Sequence, residues 1–328
     1  MRSATLQPAK GEVAIATVKP RGYWREFWRR FRRNRLAVAS LVIIAGMFTF
    51  GIFTEQLSPY CHTRQDLAAT EQGPSLAHWL GTDRLGRDLV SRLVWGARTA
   101  VIVSLSVTVL HLVIGLSLGL AAGYFGGIVE SLIMRLADLL FAFPELLFIL
   151  FIAATIRMPI LDFIKSTGAG LGLKRGVNCA ADYVNFGDFI VVIAALSFIG
   201  WPGLARLVRG MVLSLREREF VEAARAMGAR DWQIMLRHVL PNALPAIIVS
   251  ASLTMGGAIL AESSLSFLGI GIQPPNASWG NTLSDNYTFW RTQTWMVLAP
   301  GAVIATVIAA FSFLGDGLNE ALNPKSGN

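Results

Sequence analysis

The charges of this chain come in blocks separated by long stretches that carry none, and that segregation excludes an ordinary soluble fold. Ten of the 29 Lys and Arg residues precede Leu36, and seven more fall between Arg206 and Arg237. A charge at the centre of a bilayer costs about 2.5–3.5 kcal/mol on insertion scales, so blocks of this kind mark a chain that crosses a membrane repeatedly. Composition agrees: 53% of residues are hydrophobic and only 15% are charged, against roughly 25% charged in soluble domains. The net charge of +8 then reads as attraction to anionic lipid headgroups rather than to nucleic acid.

A span needs about 20 predominantly apolar residues. Six segments qualify, at about 36–53, 100–124, 132–156, 189–212, 243–261 and 295–314. The expected fold class is an all-α membrane protein with six transmembrane helices. Asp138, Pro144 and Glu145 interrupt the third segment, where Pro144 is expected to kink the helix rather than end it. Arg21, Arg25, Arg29, Arg30, Arg32, Arg33 and Arg35 crowd the approach to the first span, with only Glu12 and Glu26 opposing them. The positive-inside rule therefore places the N-terminus in the cytoplasm. Six crossings then put 54–99, 157–188 and 262–294 outside, and 125–131, 213–242 and the C-terminus inside. The basic region is too long for a cleavable leader, so an uncleaved N-terminal segment is expected. Within it Trp24, Phe27, Trp28 and Phe31 recur at helical spacing among arginines, which predicts an amphipathic helix on the inner membrane surface.

The loop at 217–238 is too polar to be a span and is built from helix formers. Gly228 stands where a left-handed helix cap is wanted, Asp231 can start a second short helix through Arg237, and Pro241 can open the next span. A helical hairpin projecting into the cytoplasm is expected. Phe220, Ala224 and Met227 share one predicted face, ringed by Arg216, Arg218, Arg225 and Arg230, a surface suited to a groove on another protein. An ordinary solvated connection is the alternative.

In the first outer loop, Gly81-Thr82-Asp83 and Gly86 read as turns, and Leu89 to Ala97 as a short helix entering the second span. A structural elbow is favoured there over a substrate contact. The second span is rich in small residues, and Gly115 and Gly119 form a pair that lets helices approach closely. Asp138 has two readings, a pathway group or an i, i+3 partner of Arg135. Glu262, with Ser263, either shapes an outer gate or hydrogen-bonds the following turn. Cys61 and Cys179 both fall on the outer side, where a disulfide between them is one reading and two unpaired loop thiols the other. No metal-type Cys/His spacing and no nucleophile–base constellation is visible, so no catalytic, cofactor-binding or metal-binding residue is expected.

Glu222-Ala223-Ala224-Arg225-Ala226-Met227-Gly228 followed by Leu240-Pro241 resembles the cytoplasmic "EAA" loop of ABC-importer permeases. Further matching stretches are Gly81-Thr82-Asp83-x-x-Gly86-Arg87-Asp88, Ser91-Arg92, Gly96-Ala97-Arg98, Ala261 through Gly269, Trp279-Gly280, Pro300-Gly301 and Gly315-Asp316-Gly317-Leu318. Over about residues 20–324 the chain resembles the C-type permease subunit of the dipeptide, oligopeptide and nickel ABC importers.

That resemblance implies a type I importer transmembrane domain in a bacterial inner membrane. Its parts would be an N-terminal segment (1–35), a first helix with outer elbow (36–98), a core (99–315) holding the coupling hairpin 217–238, and a cytoplasmic tail (316–328). It implies that Phe220, Glu222, Ala223, Ala224, Arg225, Met227 and Gly228 meet an ATPase subunit. The implied partners are a second, homologous permease, two ATP-binding subunits and a periplasmic or lipid-anchored binding protein, with ATP and Mg on the ATPase chains alone. Peptide import is the leading function. Nickel or metal-chelate import is the first alternative, and a membrane receptor whose hairpin binds a non-ATPase partner is the second. Two features depart from the pattern: His238 stands where an Ile is common, and the outer segment 157–188, with Lys165, Lys174 and Arg175, is longer than usual.

Overall fold

The structure, a computed structural model, describes residues 23–166 and 186–322. Among these the regular structure is helical, apart from one isolated bridge between Thr82 and Asp88. Helix α1 (Tyr23–Arg33) is amphipathic, and its Phe31 is buried against Ala37 and Ala321. Hydrogen bonds from Arg30 and Arg29 hold the Glu26 carboxyl below its ordinary range, so it stays charged at neutral pH. Asn34 then turns the chain, its Oδ1 accepting from the Ala37 N–H at 3.1 Å, and α2 (Arg35–Ile52) forms the first crossing. After α3 (Thr54–Leu57) and an irregular outer loop comes α4 (Leu89–Phe125), a helix of 37 residues. At 1.5 Å per residue it is about 55 Å long, well beyond a bilayer core of about 30 Å. The predicted short helix at Leu89 is therefore the outer end of the second span, in one unbroken rod.

Helix α4 lies along α7 (Phe186–Leu215), and glycines set the separation. A methyl group at Gly115 would come within 2.9 Å of Leu204, one at Gly119 within 2.7 Å of Val208, and one at Gly123 within 2.6 Å of Val212. In lipid there is no hydrophobic drive between helices, so contact of this closeness is what binds them. The small residues of the second span therefore serve packing against α7.

The third crossing departs from expectation. Between α4 and α7 stand α5 (Gly127–Phe141) and α6 (Glu145–Ser166). Pro144 was expected to kink one helix, but the helix ends at Phe141 and restarts at Glu145. The residue before a proline is pushed out of the helical region, and Ala142, Phe143 and Pro144 all lie exposed. Only α6 is long and apolar enough alone to count as a span. Yet Ala137 and Leu140 of α5 pack with Trp201 and Ala205 of α7 and with Ile114 and Leu118 of α4. Helix α5 thus runs antiparallel to α7 along the half of the bundle nearer residues 213–242, and α6 continues toward the opposite end.

Beyond α7 come α8 (Glu219–Ala226), α9 (Asp231–Ile234) and α10 (Leu240–Phe267). Residues Met235–Val239 form a π turn that joins α9 to α10 without a break. Pro241 can offer no N–H to the carbonyl one turn back, and the wider π turn accommodates its ring. Helix α11 (Trp279–Asn286) lies at the same end of the bundle as the start of α4, and α12 (Trp295–Leu322) makes the last crossing. It is helical as far as Leu322, into the stretch expected as a tail, burying Gly317 and Ala321. Among the described residues six helical segments are long and apolar enough to cross a membrane, the number read from the sequence.

Candidate functional site

At the inner end, the predicted hairpin forms and its turn is specified by one residue. Helix α8 closes with the Ala229 N–H bonded to the Ala224 carbonyl at 3.1 Å and the Gly228 N–H to the Arg225 carbonyl at 3.0 Å. These are the two bonds of a Schellman motif, which needs a left-handed residue between them. Gly228 supplies it at φ 82°.

The predicted apolar face requires correction. Ala224 is 1% exposed and faces inward, where it joins Val221, Ile234 and Val239 against Val208 and Val212 of α7. It seals the hairpin onto the bundle and is not available to a partner in this arrangement. Helix α8 places Val221 and Ala224 on one side, while Phe220, Glu222, Ala223, Arg225 and Met227 face out. Met227 is 81% exposed, and Trp232 and Leu236 from the second arm add to the same apolar tip. Sequence reading missed these two; their signal was an aromatic and a leucine in an otherwise polar arm. Arg216 is also reassigned: it points back and donates to the Gly123 carbonyl at 3.1 Å, capping the α4 end. The basic rim consists of exposed Arg218, Arg225, Arg230 and Arg237.

At the outer end, the Gly81–Arg92 motif is a brace. Asp83 accepts from the Leu85 and Arg87 N–H groups at 2.9 Å each, and from Arg87 Nε at 2.6 Å. Arg87 reaches on to Asp285 Oδ2 at 2.8 Å. Arg92, 1% exposed, donates to Asn281 Oδ1 at 2.9 Å and Thr282 Oγ1 at 3.2 Å. Asp88 caps α4 through Ser91 and holds His78 Nδ1 at 2.9 Å. The loops at 54–88 and 268–294 are thereby fixed to the start of α4. The elbow reading holds geometrically; Asn281 and Asp285, its receiving side, had not been singled out.

The remaining candidates separate. Glu262 is 1% exposed, and Ser266 Oγ donates to it at 2.7 Å while Ser263 Oγ donates at 3.3 Å. Both Glu262 and Ser263 face the protein interior, and Ser266 in turn accepts from the Ile272 N–H at 2.9 Å, the hydrogen bonding of the turn reading. Asp138 is exposed and pairs with Arg206 of α7, not with Arg135; the partner lies across the bundle. Cys61 sits in the elbow and is not a free thiol. Cys179, with Lys174 and Arg175, lies outside the described residues. Among the described residues no group of three or more His, Cys, Asp or Glu could hold a metal ion.

Six membrane-length helices with a protruding charged hairpin on one side and a braced elbow on the other define a helical transport component of a membrane. The chain belongs to the family of binding-protein-dependent transport system inner membrane components, whose sequence model matches residues 115–327. Residues 22–74 match the N-terminal transmembrane domain of oligopeptide transport permease C. The chain is 37% identical over 322 residues to the dipeptide transport system permease protein of Bacillus subtilis (strain 168), covering 98% of this chain and 92% of that protein. It is 36% identical to the glutathione transport system permease protein of Pectobacterium atrosepticum, covering 92% and 91% respectively. For the oligopeptide transport system permease protein of B. subtilis the identity is 33%, with coverage of 96% and 94%. The protein is thus a multi-pass permease component of an ABC importer.

Proposed function

We propose that this permease carries di- and oligopeptides inward by alternating access, driven by partner ATPases that grip the α8–α9 hairpin. One observation carries the coupling half of this reading. Val221, Ala224 and Ile234 bury the hairpin in the same cluster as Val208 and Val212 of α7, Val239 of the π turn and Ala243 of α10. A partner that moves the hairpin must therefore move the inner ends of two spans, because packed cores shift as units rather than deform. Its exposed tip of Phe220, Met227, Trp232 and Leu236 within an arginine rim suits an apolar groove with acidic edges. The relatives' substrates favour peptides over nickel. ATP and Mg belong to the ATPase chains, which would number two. A second permease and a binding protein complete the assembly, with both termini of this chain in the cytoplasm.

The reading is tested by co-expressing the chain with the ATPase genes adjacent to its own. Purified complex is expected to contain the ATPases and to take up trialanine with ATP. Failure of any ATPase to co-purify would favour the receptor alternative instead. Separately, Cys61 and Cys179 are proposed to pair and tie the long segment before α7 to the elbow. Non-reducing mass spectrometry is expected to find a peptide joined through both residues; free thiols at both positions would dismiss the pairing.

A further inference from the structure

The break between α5 and α6 lies deep in the membrane and carries charge on an uncovered face. Leu140, just before it, packs with Trp201 and with Ile114, which lies one turn from His111 on α4. His111 is near the middle of the second span, about 21 Å of helix from its inner end at Phe125. Residues 141–147 are all exposed, so neither this backbone interruption nor Glu145 is covered by the chain's own helices.

Lipid does not tolerate such a surface. Non-helical backbone at membrane depth occurs only where protein buries it or water lines it. Ionisable side chains at that depth face a bundle interior or an aqueous cavity. Asp138, 65% exposed, and Arg206, 42% exposed, pair about two turns nearer the cytoplasm on the same side. Arg206 also stacks over Phe141, 4.3 Å from its ring centroid. Gly203 and Gly210 on α7 add open space, since a Cβ added at either would meet nothing within 4 Å outside its own helix backbone. Among the described residues no basic side chain forms an ion pair with Glu145.

We infer that the α5–α6 break lines the aqueous pathway, where the Glu145 carboxylate receives the α-ammonium of a passing peptide. A zwitterion at mid-membrane needs a countercharge for its ammonium, and a charge-assisted hydrogen bond to a free carboxylate supplies one. The Asp138–Arg206 pair, next along the path, offers a guanidinium to the peptide carboxylate. The ammonium role rests on the peptide reading above; the aqueous placement does not.

The test uses the full complex in membranes. Glu145→Cys and Asp138→Cys are expected to react with a water-soluble cationic thiol reagent at least tenfold faster than Val42→Cys on the exposed face of α2, scored site by site by mass spectrometry. Glu145→Gln is expected to lower trialanine uptake at least tenfold while the ATPases co-purify at unchanged yield, with Glu145→Asp retaining most activity. Labelling no faster than at Val42, or full uptake by Glu145→Gln, would overturn the inference. Fast labelling with no trialanine uptake by the unaltered complex would instead overturn the peptide reading, and the ammonium role with it.

Discussion

A Gly228→Val variant is expected to reach the membrane at normal levels and to lose ATP-driven uptake. The position has room for a side chain, since nothing lies within 4 Å of an added Cβ. Its backbone conformation is the obstacle: φ is 82°, and a β-branched residue held there costs on the order of 1–3 kcal/mol. The whole hairpin has few bonds to offset that, because its turn depends on the two Schellman hydrogen bonds. Relaxing φ to a negative value breaks both and re-aims Met227 and Trp232 away from a common tip. The spans are untouched, so insertion proceeds. Gly228→Asn is the control, because Asn tolerates the left-handed region and is expected to retain substantial uptake. Uptake, immunoblotted membrane levels and ATPase co-purification are the measurements. Normal uptake by the valine variant would sink the coupling role of this turn.

The parts of the molecule visible in sequence are those governed by local rules. Charge segregation marks six crossings because burying charge in lipid is costly wherever the chain goes. Gly228 announces the helix end because only its backbone fits there. Asp88 and Asn34 act as caps within three residues of the groups they satisfy. What escaped the sequence is set by partners far along the chain. Asp138 has Arg135 one turn away, yet it pairs with Arg206, which only the antiparallel packing of α5 on α7 brings near. Ala224 shares helical spacing with Phe220, but α8 is rolled so that Val221 and Ala224 meet Val212, and a short helix with apolar residues on two sides does not disclose which side the bundle takes. Pro144 behaves as a break where no described helix covers residues 142–144, which stay exposed, with Phe143 stacking on Phe148 just beyond. Periodicity cannot report that absence of a neighbour.

Asn281→Ala is expected to be the most damaging single change on the outer side. This side chain closes four contacts: Oδ1 accepts from Arg92 Nη2 at 2.9 Å and from the Ser278 N–H at 3.0 Å, while Nδ2 donates to the carbonyls of Asn276 at 2.9 Å and Ile272 at 3.2 Å. Truncation leaves the Arg92 guanidinium buried with Thr282 Oγ1 at 3.2 Å and Asp285, 3.6 Å away and already engaged by Arg87. Loss of this acceptor by a buried guanidinium costs about 1.5–3 kcal/mol, and the orphaned Asn276 and Ile272 carbonyls add to it. That corresponds to a melting temperature lower by roughly 10 °C for a domain of this size. The loss should be local at first, because Trp279 Nε1 still donates to the Leu93 carbonyl at 2.9 Å and the inner hairpin lies at the far end of α4. Protease added from the outer side is therefore expected to cut near 270–294 in the variant, while the ATPases still co-purify. Arg92→Met removes the charge along with its need for a partner and should cost clearly less than Asn281→Ala. Equal stability of Asn281→Ala and the unaltered protein would show that the elbow is held by apolar packing around Trp279 and not by this network.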